Sequence, residues 1–179
     1  MLILVTYYSV RGSTKEIAER IGSVLSTNIA APSTVEVLPM EQVVDLSKYS
    51  FVIIGSPVHG FVWVEYASSW LSVNSAALSN SAVWAFSVGT PFAVGKIAQR
   101  MMESKDEEKN LAAAISKDVK LEGHVLFNGK FLKSHASSKF NFWWRVFGGK
   151  FGDFREWEKI DKWTGEIGHT IVQRIGDAV

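Results

Sequence analysis

Residues 9 to 14, Ser9-Val10-Arg11-Gly12-Ser13-Thr14, set three hydroxyls, a glycine and an arginine between an apolar run and a helical pattern. That combination suits an anion. The start of a helix exposes backbone N–H groups with no intrahelical acceptor, and a glycine lets the backbone approach an oxyanion closely. Ser9, Ser13 and Thr14 would add hydroxyl donors, and Arg11 a charge with fork geometry. The same residues also permit a plain helix cap. Ser13, with Glu16 three positions later, has the spacing of a capping box. On this loop alone both readings stay open.

The elements that must position the loop alternate in type. Leu2 to Tyr8 is a short apolar β-branched run and predicts a buried strand. From Thr14, the residues Ile17, Ile21, Val24, Leu25 and Ile29 recur at helical spacing. Val35 to Leu38, Phe51 to Gly55, Ala82 to Ser87 and Glu122 to Asn128 predict four further strands. Glu65 to Ala77 predicts a helix with Trp70 and Leu71 facing inward, and residues 95 to 117 are helix-rich. Trp157, Ile160, Trp163, Thr164, Ile167, Ile171 and Ile175 mark a long amphipathic C-terminal helix. Strands joined by single helical crossovers predict an α/β doubly wound sandwich, with a five-stranded parallel sheet and helices on both faces. One domain is expected over residues 1–179, with an insertion at about 128–150 before the last helix.

Ligands of open parallel sheets sit beyond the carboxyl ends of the strands. Three predicted loops, residues 9 to 14, 56 to 63 and 88 to 93, share that edge. The second and third loops, within "GSPVHGFVW" and "SVGTPF", offer the aromatics Phe61, Trp63 and Phe92 as flat walls. Backbone near His59-Gly60 and Gly89-Thr90 could supply donors. Trp63 and Phe92 could equally be ordinary packing residues. His59 is a candidate proton relay or a plain loop histidine.

Other phosphate loops are excluded. The Walker pattern and the G-x-G-x-x-G fingerprint are absent. With no cysteine in the chain, thiolate chemistry and disulfides are absent as well. After the first strand the pattern Ser9-x-x-Gly12-x-Thr14 resembles the phosphate loop of the flavodoxin-like family, [ST]-x-[ST]-G-x-T. Arg11 stands where many members carry a small hydroxyl residue. The resemblance implies FMN as cofactor, with its phosphate on Ser9, Val10, Arg11, Gly12, Ser13 and Thr14. Its ring would then lie against Pro57, Val58, His59, Gly60, Phe61, Trp63, Val88, Gly89, Thr90 and Phe92. No metal is expected.

Towards the C-terminus, "FGGKFGDFREWEKIDKW" (147 to 163) resembles the G-D-[FT]-R-[DE]-W segment of a branch of that family. The branch includes the menaquinone-dependent protoporphyrinogen IX dehydrogenases, and a porphyrinogen or quinonoid substrate is the corresponding implication. The first loop is one residue shorter than the form of those enzymes. Arg155 could reach the active edge or serve a structural salt bridge, and Asp153 is a candidate cap for the last helix.

Residues 128 to 150 hold five basic residues, no acidic ones and six Phe or Trp, in a chain of net charge +1. Lys139, Phe142, Trp143, Trp144 and Arg145 thus form a candidate substrate or membrane contact, since such mixtures suit a headgroup layer. A solvated insertion with its rings on the core is the alternative. No stretch nears the ~20 apolar residues of a membrane span, and no signal peptide is evident. A cytoplasmic location, with membrane association from that side, is therefore expected.

The near-neutral charge argues against nucleic acid as a partner. The leading expectation is an FMN-dependent oxidoreductase, with a small redox substrate and a quinone acceptor; His59 and His135 are weak acid–base candidates. The alternatives are a flavodoxin-type electron carrier and a flavin-free interaction module.

Overall fold

The computed structural model describes residues 1–30, 32–89, 106–135 and 150–177. The chain runs β1 (Leu2–Tyr7), α1 (Ser13–Asn28), β2 (Thr34–Pro39), β3 (Tyr49–His59), β4 (Val62–Trp63) and α2 (Glu65–Leu78). It continues through β5 (Ala82–Gly89), α3 (Asp106–Ile115), β6 (Leu121–Asn128), β7 (Lys130–Phe131), β8 (Gly152–Asp153) and α4 (Trp157–Asp177). The main sheet has the order β2-β1-β3-β5-β6, and all of those pairings are parallel. It is an α/β doubly wound sandwich with helices on both faces.

Two apolar layers hold it together. Every position from Ile3 to Tyr7 is buried, as a strand covered on both faces requires. Side chains alternate between the layers with period two. Ile3, Val5, Ile53, Phe86 and Phe127 face α1 and α4, while Leu4, Val52, Ile54, Val83 and Ala85 face α2 and α3. Helix α1 buries Ile17, Ala18, Ile21, Gly22 and Leu25 at three- and four-residue spacing, and α4 buries Ile160, Thr164, Ile167 and Ile171. Trp163 of α4 meets Phe127 edge-on, with ring centroids 5.6 Å apart. A β-carbon on Gly22 would fall 2.2 Å from Val37, and one on Gly55 would fall 2.0 Å from the Phe86 ring. Small residues at these two places therefore set how closely helix and rings settle on the sheet.

Several local expectations need correcting. β3 does not stop at Gly55 but continues to His59. Residues Gly60 (φ 61°) and Phe61 (φ 67°) both adopt the left-handed region. They form a two-residue hairpin turn, so Val58 pairs with Trp63 and His59 with Val62. Asp153 does not cap the last helix. It lies in β8, four residues before the helix, and its carboxylate accepts from the Arg155 guanidinium at 2.5 and 2.8 Å. Helix α4 begins only at Trp157.

The described ends of the insertion form an antiparallel ribbon, Lys130 opposite Asp153 and Phe131 opposite Gly152. Phe131 stacks on Phe151 at 5.5 Å. Thr90 and Phe92, and Lys139, Phe142, Trp143, Trp144 and Arg145, lie outside the described residues, as does the side chain of His135. Among the described residues no helix is long and apolar enough to cross a membrane.

Candidate functional site

The strand order reverses beside β1, so the crossovers leaving β1 and β3 diverge to opposite faces. That opens a crevice at their carboxyl ends. The loop leaving β1 lies in this crevice. Gly12 donates its N–H to Ser9 Oγ at 3.1 Å and adopts φ 87°, ψ −21°. A β-carbon there would meet nothing closer than Glu16 Oε1 at 3.8 Å. Glycine is therefore needed for its backbone angle and not for space; an L side chain would cost about 1 kcal/mol or more.

The capping-box expectation fails. No side chain caps α1, although Glu16 N–H already bonds Gly12 O at 3.0 Å. Both members of the expected box are engaged elsewhere. Ser13 Oγ accepts from the Lys130 backbone N–H at 3.0 Å. The Glu16 carboxylate takes the Lys130 ammonium at 2.7 and 2.8 Å and Arg155 Nη1 at 2.5 Å. For Glu16, two cations offer charge-assisted bonds that outcompete a local cap; Ser13 is already the first helical residue, one place past the N-cap Gly12. The first-turn N–H groups of α1 thus keep no side-chain acceptor.

A cavity of about 170 Å³ opens at this point. Val10, Arg11, Ser13 and Thr14 form one wall, and Pro57, Val58 and His59 at the end of β3 form another. Val88 and Gly89 at the end of β5 close a third, and Lys130 and Phe131 complete it. Three predicted loops therefore converge. Ser9 lies just behind the cavity, holding Gly12. Gly60 and Phe61 form the hairpin tip, with Phe61 55% exposed.

Trp63 is placed differently from the expectation of a ring wall. It is 5% exposed and part of the layer under α2, and its indole N–H donates to Ser87 Oγ at 2.8 Å. Buried indoles need such a partner. Ser87 in turn lies 2.8 Å from His124 Nε2. The serine oxygen accepts from Trp63 and has both a proton and a second lone pair for Nε2, so it can pair with either neutral tautomer of His124. Burial pushes the pKa of His124 down to about 4, so the imidazole is uncharged at neutral pH. This chain of bonds ties the hairpin to β5 and β6.

Arg155 takes the structural option. Its side chain is 5% exposed, paired to Glu16 and Asp153, with its guanidinium 4.4 Å from the Trp157 ring. Hydrogen bonds from Lys130 first, and Arg155 second, hold the Glu16 carboxyl below the usual range. The Arg155 hydrogen bond does the same for Asp153.

Lys130 and Phe131 were legible only as insertion residues; the signal was that β6 ends at the same edge as the other three strands. Between them and the sheet sits Gly129. Its N–H donates to Gly89 O at 2.7 Å and its carbonyl accepts from Phe154 N–H at 3.2 Å.

The flavodoxin domain family profile matches residues 4–137. No curated protein sequence matches the chain significantly. Among solved structures, a flavodoxin from the domain Archaea is similar with TM-score 0.53 at 16% identity, covering 83% of this chain and 94% of that one. A short-chain flavodoxin associated with a non-canonical PDU bacterial microcompartment gives TM-score 0.59 at 11% identity, covering 95% and 98%. The rubredoxin oxygen:oxidoreductase of Desulfovibrio gigas gives TM-score 0.59 at 14% identity. There 97% of this chain matches 37% of the other. Likeness at these identities speaks for the fold, and the family match supports FMN as the cofactor. With the αL glycine loop at the sheet's switch point and a profile match over most of its length, this chain belongs to the flavodoxin domain family.

Proposed function

We propose that the chain is an FMN-dependent oxidoreductase passing electrons or hydride between a small quinonoid or porphyrinogen-type substrate and an acceptor such as a quinone. The observation that carries the cofactor half is the uncapped start of α1 opening into a cavity walled by four strand ends. About 170 Å³ suits a phosphate and the adjoining part of the ribityl chain, below the ~300 Å³ of a pocket for a whole drug-sized ligand. The fit is therefore to the phosphate end, with the ring at the mouth. FMN bound there supplies the redox chemistry.

The chain's own residues do the rest. Backbone N–H groups of the first turn of α1, with the hydroxyls of Ser13 and Thr14, hold the phosphate. Pro57, Val58 and Val88 exclude water from one side, and the exposed His59 imidazole can hold a proton at the cavity wall. Phe61 supports the proposal of a ring-facing tip because it is an exposed aromatic that the hairpin turn, with its positive φ, presents beside the cavity wall at His59.

The substrate half rests on the likeness of residues 147–163 to the protoporphyrinogen dehydrogenase branch and on the basic aromatic composition of 128–150. A peripheral membrane contact through Lys139, Phe142, Trp143, Trp144 and Arg145 belongs to the same proposal.

Purified protein is expected to be yellow and to release FMN on heat denaturation. Its reduced form is expected to be reoxidised by quinone, one quinone reduced per flavin, and to turn over an excess only when an electron donor re-reduces the flavin. A colourless protein that takes up no added FMN would sink the cofactor assignment. Tight FMN with no turnover of quinone or porphyrinogen would make it an electron carrier.

A further inference from the structure

Glu16 presents a difficulty for any phosphate in this cavity. It sits in the first turn of α1, its Oε1 only 3.8 Å from where a Gly12 β-carbon would be. Its carboxylate does not line the cavity, but it stands in the same first turn whose N–H groups would hold a dianion. Like charges so placed repel, with the 43% exposure of the Glu16 side chain screening part of the effect. The structure contains a compensating group. Lys130 spans the gap from β7 to reach both Glu16 oxygens, at 2.7 and 2.8 Å, and it also lines the cavity.

The count of charges makes Lys130 decisive. Arg155 also bonds Glu16 but is shared with Asp153 through two further contacts. The four groups Glu16, Asp153, Lys130 and Arg155 sum to zero. Without Lys130 they sum to minus one near the start of α1. Arg11 is the other cation lining the cavity, but it is exposed to solvent, whereas the Lys130 side chain is 22% exposed. Solvent screens the former more than the latter.

We propose that Lys130 is the specificity-determining residue for the phosphate, making this cavity select FMN over the uncharged riboflavin by neutralising Glu16 and facing the phosphate dianion. This rests on the FMN assignment above. The backbone role is separate. Lys130 N–H holds Ser13 Oγ whatever its side chain is, so Lys130→Met removes the charge and keeps the loop anchored. Glu16 then retains Arg155.

The test is titration of the flavin-free full chain with FMN and, separately, with riboflavin, read by flavin fluorescence quenching at two ionic strengths. Wild-type protein is expected to prefer FMN. Lys130→Met is expected to weaken FMN binding about 10-fold or more, in line with loss of a charge-assisted contact. Its riboflavin affinity should stay within roughly twofold, and FMN binding should depend less on salt. Lys130→Arg is expected to restore most of the preference. Glu16→Gln works from the other side: it should leave FMN affinity equal or higher, because the lysine is then free for the phosphate.

Equal loss of both flavins in Lys130→Met would overturn the inference, since it would mark a structural role in the β7–β8 ribbon. Unchanged FMN binding in that variant, or a Glu16→Gln that weakens FMN as much as Lys130→Met does, would overturn it as well. In each of those cases wild-type FMN binding, and with it the cofactor assignment, stands. Wild-type protein that binds neither flavin would overturn both.

Discussion

Gly129→Val is expected to destabilise the flavin-free fold by about 2–3 kcal/mol, as overpacking of a closed contact does. It is also expected to weaken FMN binding roughly 100-fold, equivalent to about 3 kcal/mol. Gly129 is the point where three separate chain segments touch. A β-carbon there would lie 3.0 Å from Val88 Cγ1, 3.3 Å from Gly89 O and 3.5 Å from Ser13 Cβ. Two of these neighbours belong to the end of β5 and one to the start of α1.

The branched valine cannot fit without driving those segments apart. Doing so breaks the 2.7 Å bond from Gly129 N–H to Gly89 O and pulls Lys130 N–H off Ser13 Oγ. Both bonds hold cavity walls together. Gly129→Ala should give the same pattern in weaker form, because a single methyl asks its neighbours to move only a few tenths of an ångström. Denaturant unfolding and flavin titration read the two effects separately. Wild-type affinity in Gly129→Val would show that the cavity does not depend on this close approach.

Acidification is expected to cost the protein about 3 kcal/mol through His124 alone, since one pKa unit corresponds to about 1.4 kcal/mol. Burial lowers this imidazole from 6.5 to about 4 in the folded chain. Between those values the unfolded chain binds a proton that the native state refuses. Stability therefore rises with pH across the window, and is lost as pH falls from about 6.5 towards 4. Below the folded pKa the loss levels off.

Replacement by a neutral acceptor isolates the effect. His124→Gln can still accept the Ser87 hydroxyl but has no proton to gain, so its stability should be flatter between pH 6.5 and 5. Glu107, whose carboxyl is raised by burial, acts in the opposite sense and is common to both proteins. The lowered carboxyls of Glu16, Asp153 and Asp161 lose their contribution only as pH falls through more acid values. Equal slopes for the two proteins between pH 6.5 and 5 would refute a buried neutral His124. Protonated His124 can only donate to Ser87, whose oxygen still has a lone pair for Trp63, so the expected loss is the cost of charging a buried imidazole.

The strands and their order of chemistry were legible because each rests on a local pattern. Ile3 to Val5 and Val52 to Ile54 are apolar runs bounded by turn residues, and Ile17, Ile21 and Leu25 recur at helical spacing. The end of β3 was not legible. Ser56-Pro57 reads as a breaker, yet the strand continues through it, because β5 pairs with Ser56 and Pro57 and the hairpin partner β4 with Val58 and His59, pairings that no local pattern contains.

The candidate site divides in the same way. Arg11, Gly12, Ser13 and Thr14 could be named from their types and from their position after a strand, since a helix start beside a glycine is an anion site by local geometry alone. How those residues are used depended on groups far away in sequence. Ser13 and Glu16 have the spacing of a cap, but Lys130 and Arg155, more than a hundred residues on, take them both. Trp63 has the type and place of a ring wall, but Ser87 and His124 fix it in the core. Sequence by itself determined the α/β alternation, the edge where the loops meet and the hydroxyl-glycine cradle, because backbone periodicity and turn chemistry act over a few residues. Only the tertiary structure decided which polar groups face the cavity and which are spent on one another. Charge-assisted bonds outcompete local caps whenever folding brings a stronger partner within reach.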